Sequence, residues 1–177
     1  KSLKEVKQLT QGLAASPGAA VGGIYFTAQE AVDAAKTKPV ILVREETSPE
    51  DIEGMISSEA IVTLRGGMTS HAAVVARGMG KCCVCGCQNM IINYAEKTLK
   101  IAGVTLYEGD IISVDGSSGK VYLGEVDKVD ARFSVRFNKL LGWADEIREL
   151  KVLANADNET DAKVAFEFGA EGIGLCR

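Results

Sequence analysis

The chain has 177 residues, 46% hydrophobic and 25% charged, and 20 basic against 24 acidic side chains give it a net charge of −4. This is the composition of a globular protein long enough to bury a core, and the acidic balance argues against nucleic acid or an anionic membrane as a partner. No apolar run reaches the roughly 18 residues of a membrane span, and residues 1–5 lead into no apolar signal-peptide core, so we do not expect a membrane protein.

The first half of the chain predicts strands that alternate with short helices. β-branched and apolar runs indicate strands at residues 21–26, 39–43 and 60–64, with a helix over residues 28–35. A further helix begins at Ser48, which is followed by a proline and two acids suited to a first helical turn, and runs to about Ser58. A short helix follows at residues 71–77, ended by two glycines. This order is typical of an α/β core.

Four of the five cysteines are crowded together: Cys82, Cys83, Cys85 and Cys87. An odd, crowded set argues against the disulfide framework of a secreted protein, so we expect an intracellular protein. A strand over residues 82–85 would direct the last three of these thiols to one face, where they would act as small buried hydrophobes. A metal or redox site is the alternative, but a tetrahedral site needs four ligands and Cys176 is the only thiol elsewhere.

Short strands are predicted next at residues 98–101, 111–114 and 120–123, as an all-β flank to the core. The Asp115-Gly116 dipeptide predicts a hairpin between the last two of them. The letters GSSGK at residues 116–120 lack the spacing and the final Ser or Thr of a phosphate-binding P-loop, so we interpret them as the hairpin turn.

The last third of the chain has a different pattern. Apolar residues recur at three- and four-residue steps from Phe133 to Ile147, which predicts a helix of about 18 residues with one apolar stripe. A strand at residues 151–154, a helix at 160–168 and a strand at 172–176 then form a βαβ unit. Because a parallel pair of strands needs cover on both faces, we expect residues 151–177 to begin a further α/β domain.

The only histidine, His71, lies in the segment that carries the strongest chemical signal. Gly66-Gly67 allows positive φ and close approach to the backbone, and Thr69 or Ser70 can cap the helix whose first turn holds the histidine. The helix dipole at that position favours a neutral, nucleophilic imidazole, and the free N–H groups favour a phosphate.

Two interpretations of His71 are open on these grounds. It is either a phosphohistidine carrier or a residue that only packs or caps at the start of a helix. Metal ligation lacks companion ligands, and general-base catalysis lacks a nucleophile or substrate pocket nearby in the sequence.

The stretch GGMTSHAAVVARG, from Gly66 to Gly78, resembles the phosphohistidine signature of the enzymes that use phosphoenolpyruvate (PEP). Met68 and the residues at 78–84 are most similar to the dikinase branch of that family, since the other branches usually carry Arg at the position of Met68. The similarity extends upstream to residues 16–20 and downstream to residues 115–116 and 169–177.

The resemblance implies a swivelling phosphohistidine domain of β/β/α type at residues 14–126, preceded by a linker tail at residues 1–13. A linker helix at residues 127–150 and the first βαβ unit of a truncated (β/α)8 barrel at residues 151–177 would follow. His71 would accept a phosphoryl group at an ATP-grasp domain and deliver it to pyruvate at the barrel. The overall reaction interconverts ATP, pyruvate and phosphate with AMP, PEP and diphosphate. The alternatives are the family's PEP synthase branch and a phosphocarrier that passes the group to another protein.

The resemblance also implies roles for particular residues. Arg177 matches the arginine that grips the phosphate of PEP, and the residues expected to support the phosphoryl group on His71 are Gly66, Gly67, Thr69 and Ser70. In plant relatives the residue at the position of Thr69 is phosphorylated by a regulatory protein, and a dianion there would repel the incoming donor; a hydroxyl that serves the helix cap is the other interpretation of Thr69.

Two arginines, one just before the signature and one near its end, are candidates to steady the phosphorylated ring. Arg65 immediately precedes the two glycines, whereas Arg77 lies about 240° around a helix from His71. That angle favours a salt bridge for Arg77.

The cofactor and partners follow from the resemblance as well. Magnesium is implied, with ligands outside these residues, so no metal ligand is expected here. ATP, pyruvate, phosphate and PEP would bind through flanking domains of the same chain, with a homodimer formed through the barrel. Relatives occur in the cytoplasm, plastids and glycosomes, and no nucleic acid or membrane is expected to bind.

Overall fold

The computed structural model describes residues 6–127 and 135–176, and the chain divides into two compact units, Lys1–Lys128 and Val129–Arg177. The first unit contains, in chain order, β1 (Gln8–Gln11), β2 (Leu13–Ser16), β3 (Ala19–Tyr25), α1 (Ala28–Ala35), β4 (Val40–Arg44), a 3₁₀ turn (Pro49–Asp51), α2 (Ile52–Ser57), β5 (Ala60–Thr63), α3 (His71–Gly78), β6 (Cys82–Cys85), β7 (Met90–Asn93), β8 (Thr98–Ile101), β9 (Val104–Tyr107), β10 (Ile111–Asp115) and β11 (Lys120–Leu123).

The main sheet has eight strands in the order β1-β11-β10-β3-β4-β5-β6-β2. Its four central strands, β3 to β6, are parallel because a helical crossover joins each to the next. The strands at either side are antiparallel. The predicted mixed α/β fold is confirmed.

The sheet is buried on both faces, which explains why β4 is an uninterrupted apolar run. Val40 and Leu42 face the side covered by the three helices, whereas Ile41 and Val43 face the opposite side. All four side chains are fully buried. On that opposite side the antiparallel sheet β7-β8-β9 contributes Ile92 and other residues to the core. The layers are therefore a small sheet, the main sheet and the helices.

Gly12 joins the two edges of the main sheet. It is the only residue between β1, which pairs with β11, and β2, which pairs with β6, so the sheet curves until its edges meet. A Cβ at Gly12 would lie 2.4 Å from the Cys85 carbonyl oxygen, so this junction has room only for glycine. The linker tail predicted over residues 1–13 is therefore wrong for residues 8–13, which are part of the sheet.

The predicted helix at residues 28–35 and the strands at 98–101 and 120–123 are confirmed at their bounds. The all-β flank is smaller than expected, because β10 and β11 belong to the main sheet and only β7, β8 and β9 stand apart. Four short strands, β1, β2, β7 and β9, were not predicted. β1 and β2 mix polar, small and apolar residues and are defined by pairing with the distant strands β11 and β6. β7 and β9 pair with their chain neighbour β8 and have only four residues each.

The cysteine strand is confirmed over residues 82–85, with the four crowded cysteines buried. The expectation that Cys87 shares a face with Cys83 and Cys85 is wrong. Gly86 has φ +72°, which ends the strand and turns the chain, so that Cys87 packs on the opposite face with Val84.

The second unit contains α4 (Val135–Ile147), β12 (Leu153–Asn155), α5 (Glu159–Glu167) and β13 (Gly172–Leu175). β12 and β13 are parallel, which confirms the predicted βαβ unit. The helix predicted over residues 127–150 ends three residues early, at Ile147, and residues 128–134 lie outside the described part. No helix among the described residues is long and apolar enough to cross a membrane.

The predicted hairpin between β10 and β11 is confirmed, and its turn is tightly built. One carboxylate oxygen of Asp115, Oδ1, accepts hydrogen bonds from the N–H groups of Ser117 (2.9 Å) and Ser118 (3.2 Å). Gly116 is buried in the turn, and a Cβ there would lie 2.2 Å from the Ser16 carbonyl oxygen and 2.9 Å from Cys82 Sγ.

We expect Gly116→Ala to lower the free energy of unfolding by roughly 1–3 kcal/mol, because the added methyl group overpacks a site closed by backbone. Gly78→Ala is the matched control. Its Cβ meets nothing within 4 Å at the end of α3, so it should be neutral or stabilise by up to about 1 kcal/mol. Urea unfolding followed by circular dichroism measures both; equal values for the two variants would contradict the packing described for the turn.

Candidate functional site

The segment after β5 is fixed to its neighbours before it reaches the histidine. Thr63 Oγ1 donates to the Arg65 carbonyl oxygen at 2.7 Å, and the Arg65 N–H donates to the Glu45 carbonyl oxygen at 2.9 Å. On the other side the Cys87 N–H donates to the Thr63 carbonyl oxygen at 3.0 Å. The loop therefore starts from a defined position at the carboxyl end of the central strands.

Of the two adjacent glycines, only Gly66 is required by its conformation. Its φ is +109°, and a Cβ would lie 2.9 Å from both Cβ and Oγ of Ser70. Gly67 has open space around its α-carbon, and its carbonyl oxygen accepts the Ser70 N–H at 3.0 Å. The loop thus turns tightly at Gly66 and closes a second turn at Ser70.

Ser70 is the N-cap of α3. Its Oγ accepts a hydrogen bond from the Ala73 N–H at 3.4 Å, and its own backbone is extended. Thr69 is exposed and does not cap the helix, so the cap role considered for Thr69 is wrong.

His71 is the first residue of α3, and its ring is half-buried. Its Nδ1 lies 3.0 Å from Thr47 Oγ1, in hydrogen-bonding distance. Thr47 is the only hydrogen-bond partner of the ring among the described residues, which leaves Nε2 available. The N–H groups of the first helical turn also have no partner within the helix, so the ring stands at a position that favours anions.

Sequence reasoning missed Thr47. It lies in the loop after β4, and β4 and β5 are parallel neighbours, so the loops that follow them meet at one edge of the sheet. Recognising residues 40–44 and 60–63 as neighbouring parallel strands would have placed the loop that contains Thr47 beside His71.

The Thr47 loop is held at both of its ends. The Glu45 N–H donates to the Tyr94 hydroxyl at 3.1 Å, and the Ser48 N–H donates to Asp51 Oδ2 at 2.9 Å. Arg44 forms an ion pair with Asp51 at 3.4 Å and donates to the Phe26 carbonyl oxygen at 3.0 Å. Thr47 is therefore presented to His71 from a braced loop.

Small side chains allow α3 to lie close to the sheet. Ala72, Ala73 and Ala76 are buried against the face that carries Cys83 and Cys85. The Cys83 thiol lies 3.9 Å from the Ala72 carbonyl oxygen and 3.5 Å from the Cys85 sulfur. The hydrogen bond from Cys83 lowers the pKa of Cys85 to about 6, whereas the same contact and burial raise the pKa of Cys83.

The side chain of Arg77 is bonded to two backbone carbonyl oxygens. One guanidinium nitrogen donates to the Met68 carbonyl oxygen at 2.6 Å and the other to the Ala15 carbonyl oxygen at 3.1 Å. Arg77 forms no ion pair with any described residue, so the expected salt bridge is wrong; its partners are backbone carbonyls.

Arg65 is exposed and lines an open cavity of about 350 Å³ together with Arg44, Glu45, Glu46 and Tyr94. Arg177, expected to grip the phosphate of PEP, lies outside the described residues. Within the described ranges, no group of three His, Cys, Asp or Glu side chains could hold a metal ion.

Two family models match the chain. The model described as "PEP-utilising enzyme, mobile domain" matches residues 36–119, and the one described as "PEP-utilising enzyme, PEP-binding domain" matches residues 132–177. Together the two ranges cover well over half of the chain.

The chain is similar to curated proteins named pyruvate, phosphate dikinase. It is 56% identical over 177 residues to the one from Clostridium symbiosum, 99% of this chain and 20% of that protein. The identity is 55% to the protein from Entamoeba histolytica and 54% to pyruvate, phosphate dikinase 2 of Zea mays, each over 96% of this chain and 19% of the relative. The chain thus spans about a fifth of the length of the relatives it matches.

We expect Thr47→Val to change the tautomer ratio of His71 by roughly 2- to 10-fold, the effect of losing a hydrogen bond worth about 0.5–1.5 kcal/mol. The contact is compatible with either tautomer, because Thr47 Oγ1 can accept from Nδ1–H or donate to an unprotonated Nδ1. We expect the Nδ1–H form, which leaves the lone pair on Nε2, so the variant should contain less of that tautomer. ¹⁵N shifts of the two ring nitrogens at mildly alkaline pH report the ratio without ambiguity, because the chain has one histidine. The exposed Thr105→Val is the control; identical spectra for wild type and Thr47→Val would mean that the bond is not formed.

Proposed function

The chain belongs to the PEP-utilising enzyme family, and we propose that His71 is the residue that carries the phosphoryl group in it. One observation carries this proposal: the ring is hydrogen-bonded to Thr47 through Nδ1 and has Nε2 available at the N-terminus of α3. The chain's single histidine therefore has a defined orientation and an available nucleophilic atom beside helix amides that favour phosphate.

In the proposed reaction the proton remains on Nδ1, which donates to Thr47 Oγ1, while the Nε2 lone pair attacks the phosphorus of the donor. A P–N bond forms as the P–O bond to the leaving group breaks, and the positive charge that develops on the ring partly offsets the charge of the phosphoryl group. In the second half-reaction the enolate oxygen of pyruvate attacks phosphorus, and Nε2 leaves with its electron pair. We propose that Gly66, Gly67 and Ser70 support the phosphoryl oxygens, as the resemblance implies for them.

For the whole protein we propose the dikinase reaction, in which ATP, pyruvate and phosphate are interconverted with AMP, PEP and diphosphate. The names of the three relatives support this reaction over the PEP synthase and phosphocarrier alternatives. The 177 residues alone would not complete it, because ATP and PEP would bind to flanking domains of the same chain. Dimerisation through the barrel and a location in the cytoplasm, a plastid or a glycosome stay predictions.

Within this chain we propose that the first unit is the swivelling domain, with residues 8–13 included, and that α4 belongs to the following linker. The parallel pair β12–β13 would begin the PEP-binding barrel, in line with the family match at residues 132–177. Arg177 is proposed, on the resemblance, to bind the phosphate of PEP, and Arg65 to steady the phosphorylated ring.

Magnesium is proposed to bind to ligands outside these 177 residues. The described residues offer no group of ligands that fits it, and no step above is assigned to it.

A chimera tests the assignment of His71. We would replace the matched residues of the Clostridium symbiosum enzyme with this chain and incubate the chimera with PEP labelled with ³²P. We expect label that is acid-labile and alkali-stable, as for a phosphohistidine, and no label on the His71→Asn chimera, which keeps a side chain of similar shape without the nucleophile.

Equal labelling of the two chimeras would place the phosphoryl group on another residue. A His71→Asn chimera with an unchanged circular dichroism spectrum but no label would exclude misfolding as the cause.

Thr69 is the residue through which we propose that transfer is regulated. Its hydroxyl is exposed, two residues before His71, and the helix cap is made by Ser70 instead. We expect Thr69→Glu to slow the labelling of His71 about fivefold, the effect of about 1 kcal/mol of repulsion between unit charges 4 Å apart in water, and Thr69→Val to label at the wild-type rate. A slow Thr69→Val variant would show that the hydroxyl itself is needed.

A further inference from the structure

We propose that Arg77 is a positioning residue, which places His71 for phosphoryl transfer by holding the loop before it against the edge of the sheet. The inference rests on the proposed function of His71, and it assigns to Arg77 no contact with the phosphoryl group.

The loop between Gly66 and His71 is otherwise attached to the sheet at its end, where Ser70 Oγ donates to Cys85 Sγ of β6 at 3.7 Å, and its middle has no such side-chain bond among the described residues. Met68 and Thr69 are exposed, and the α-carbon of Gly67 is surrounded by open space. The turn bond from the Ser70 N–H to the Gly67 carbonyl oxygen is internal to the loop and does not tie it to the sheet. The 2.6 Å bond from Arg77 to the Met68 carbonyl oxygen connects the middle of this loop to the far end of α3.

The second hydrogen bond of Arg77 is made to a residue at an irregularity in the edge strand β2. The register of β2 against β6 shifts between Ala14 and Ser16, so Ala15 is left out of the regular pairing, as in a β-bulge. Ala15 is buried, and its carbonyl oxygen accepts the second bond from Arg77 at 3.1 Å. Arg77 thereby binds the carbonyl of a residue outside the regular register and links strand, loop and helix.

Only arginine has the shape for this link. The planar guanidinium presents donors in a fixed fork, so two separate carbonyl oxygens are held at a defined spacing. Lysine keeps the positive charge but has a single, flexible ammonium group that cannot reproduce that spacing. Replacing Arg77 with Lys therefore separates the effect of the fork from the effect of the charge.

The consequence for transfer is geometric. Met68 lies three residues before His71, and a misplacement of about 1 Å at a reacting group can cost about 100-fold in rate. PEP would be bound by residues of another domain, so its KM should not change.

The test uses the chimera described above and follows the initial rate at which PEP labels His71. We expect Arg77→Lys and Arg77→Ala both to label about 10- to 100-fold more slowly with an unchanged KM for PEP. Guanidinium at tens of millimolar should partly restore Arg77→Ala, whereas the same concentration of ammonium should not. Lys100→Met, which removes an exposed cation from β8, is the control and should label at the wild-type rate.

A second measurement does not depend on activity. Hydrogen exchange of the peptide over residues 66–71 should be faster in both Arg77 variants, while that of β4 and β5 stays unchanged. A wild-type rate in Arg77→Lys would show that charge suffices and overturn the proposal, as would unchanged exchange in the loop.

The failure of the proposed function gives a different result. If His71→Asn labels as well as wild type, the carrier has been misassigned, and faster loop exchange in the Arg77 variants would still establish the link to Met68 and Ala15.

Discussion

The hydrogen bond between Thr47 and His71 depends on the parallel arrangement of β4 and β5. Two parallel neighbours bring their following loops to the same edge of the sheet, so residues 24 positions apart come within 3.0 Å. The helical crossover between the strands is what makes them parallel. An imidazole held through Nδ1 presents Nε2 in one orientation, and the proposed chemistry of the site requires that orientation.

Close packing of α3 against the main sheet also helps to fix the position of His71. The buried side chains on the inner face of α3 are alanines, which lie directly on the cysteine-bearing face of β5 and β6. Because methyl groups and thiols occupy so little space, the first helical turn sits close to the sheet, and its outer side remains open to solvent. The site is thus closely packed on the side of the core and open on the side from which the proposed donor would approach.

Backbone groups at the edge of the main sheet also help to hold the loop that precedes His71. Gly12 lets the chain pass from one edge strand to the other where any side chain would collide with Cys85, and the bulge in the second edge strand leaves the Ala15 carbonyl for Arg77. A residue in the last turn of α3 is in this way connected to the loop that precedes its first turn. The carbonyl of a residue at this irregularity in the sheet thus helps to fix a loop.

The features that the sequence determined by itself are local. The helix over residues 28–35, the cysteine strand, the Asp-Gly hairpin and the βαβ unit each follow from neighbouring residues. The run from Gly66 to Gly78 is long and specific enough to indicate the family and to single out His71 as the proposed carrier. The tertiary structure decided what depends on residues far apart: Thr47 as the partner of His71, residues 8–13 as edge strands, the two carbonyl partners of Arg77 and the face of Cys87. Short-range patterns report backbone preference and periodicity, whereas these contacts depend on strand order and on single backbone angles such as those of Gly66 and Gly86. Only the folded chain brings the strands that make these contacts together.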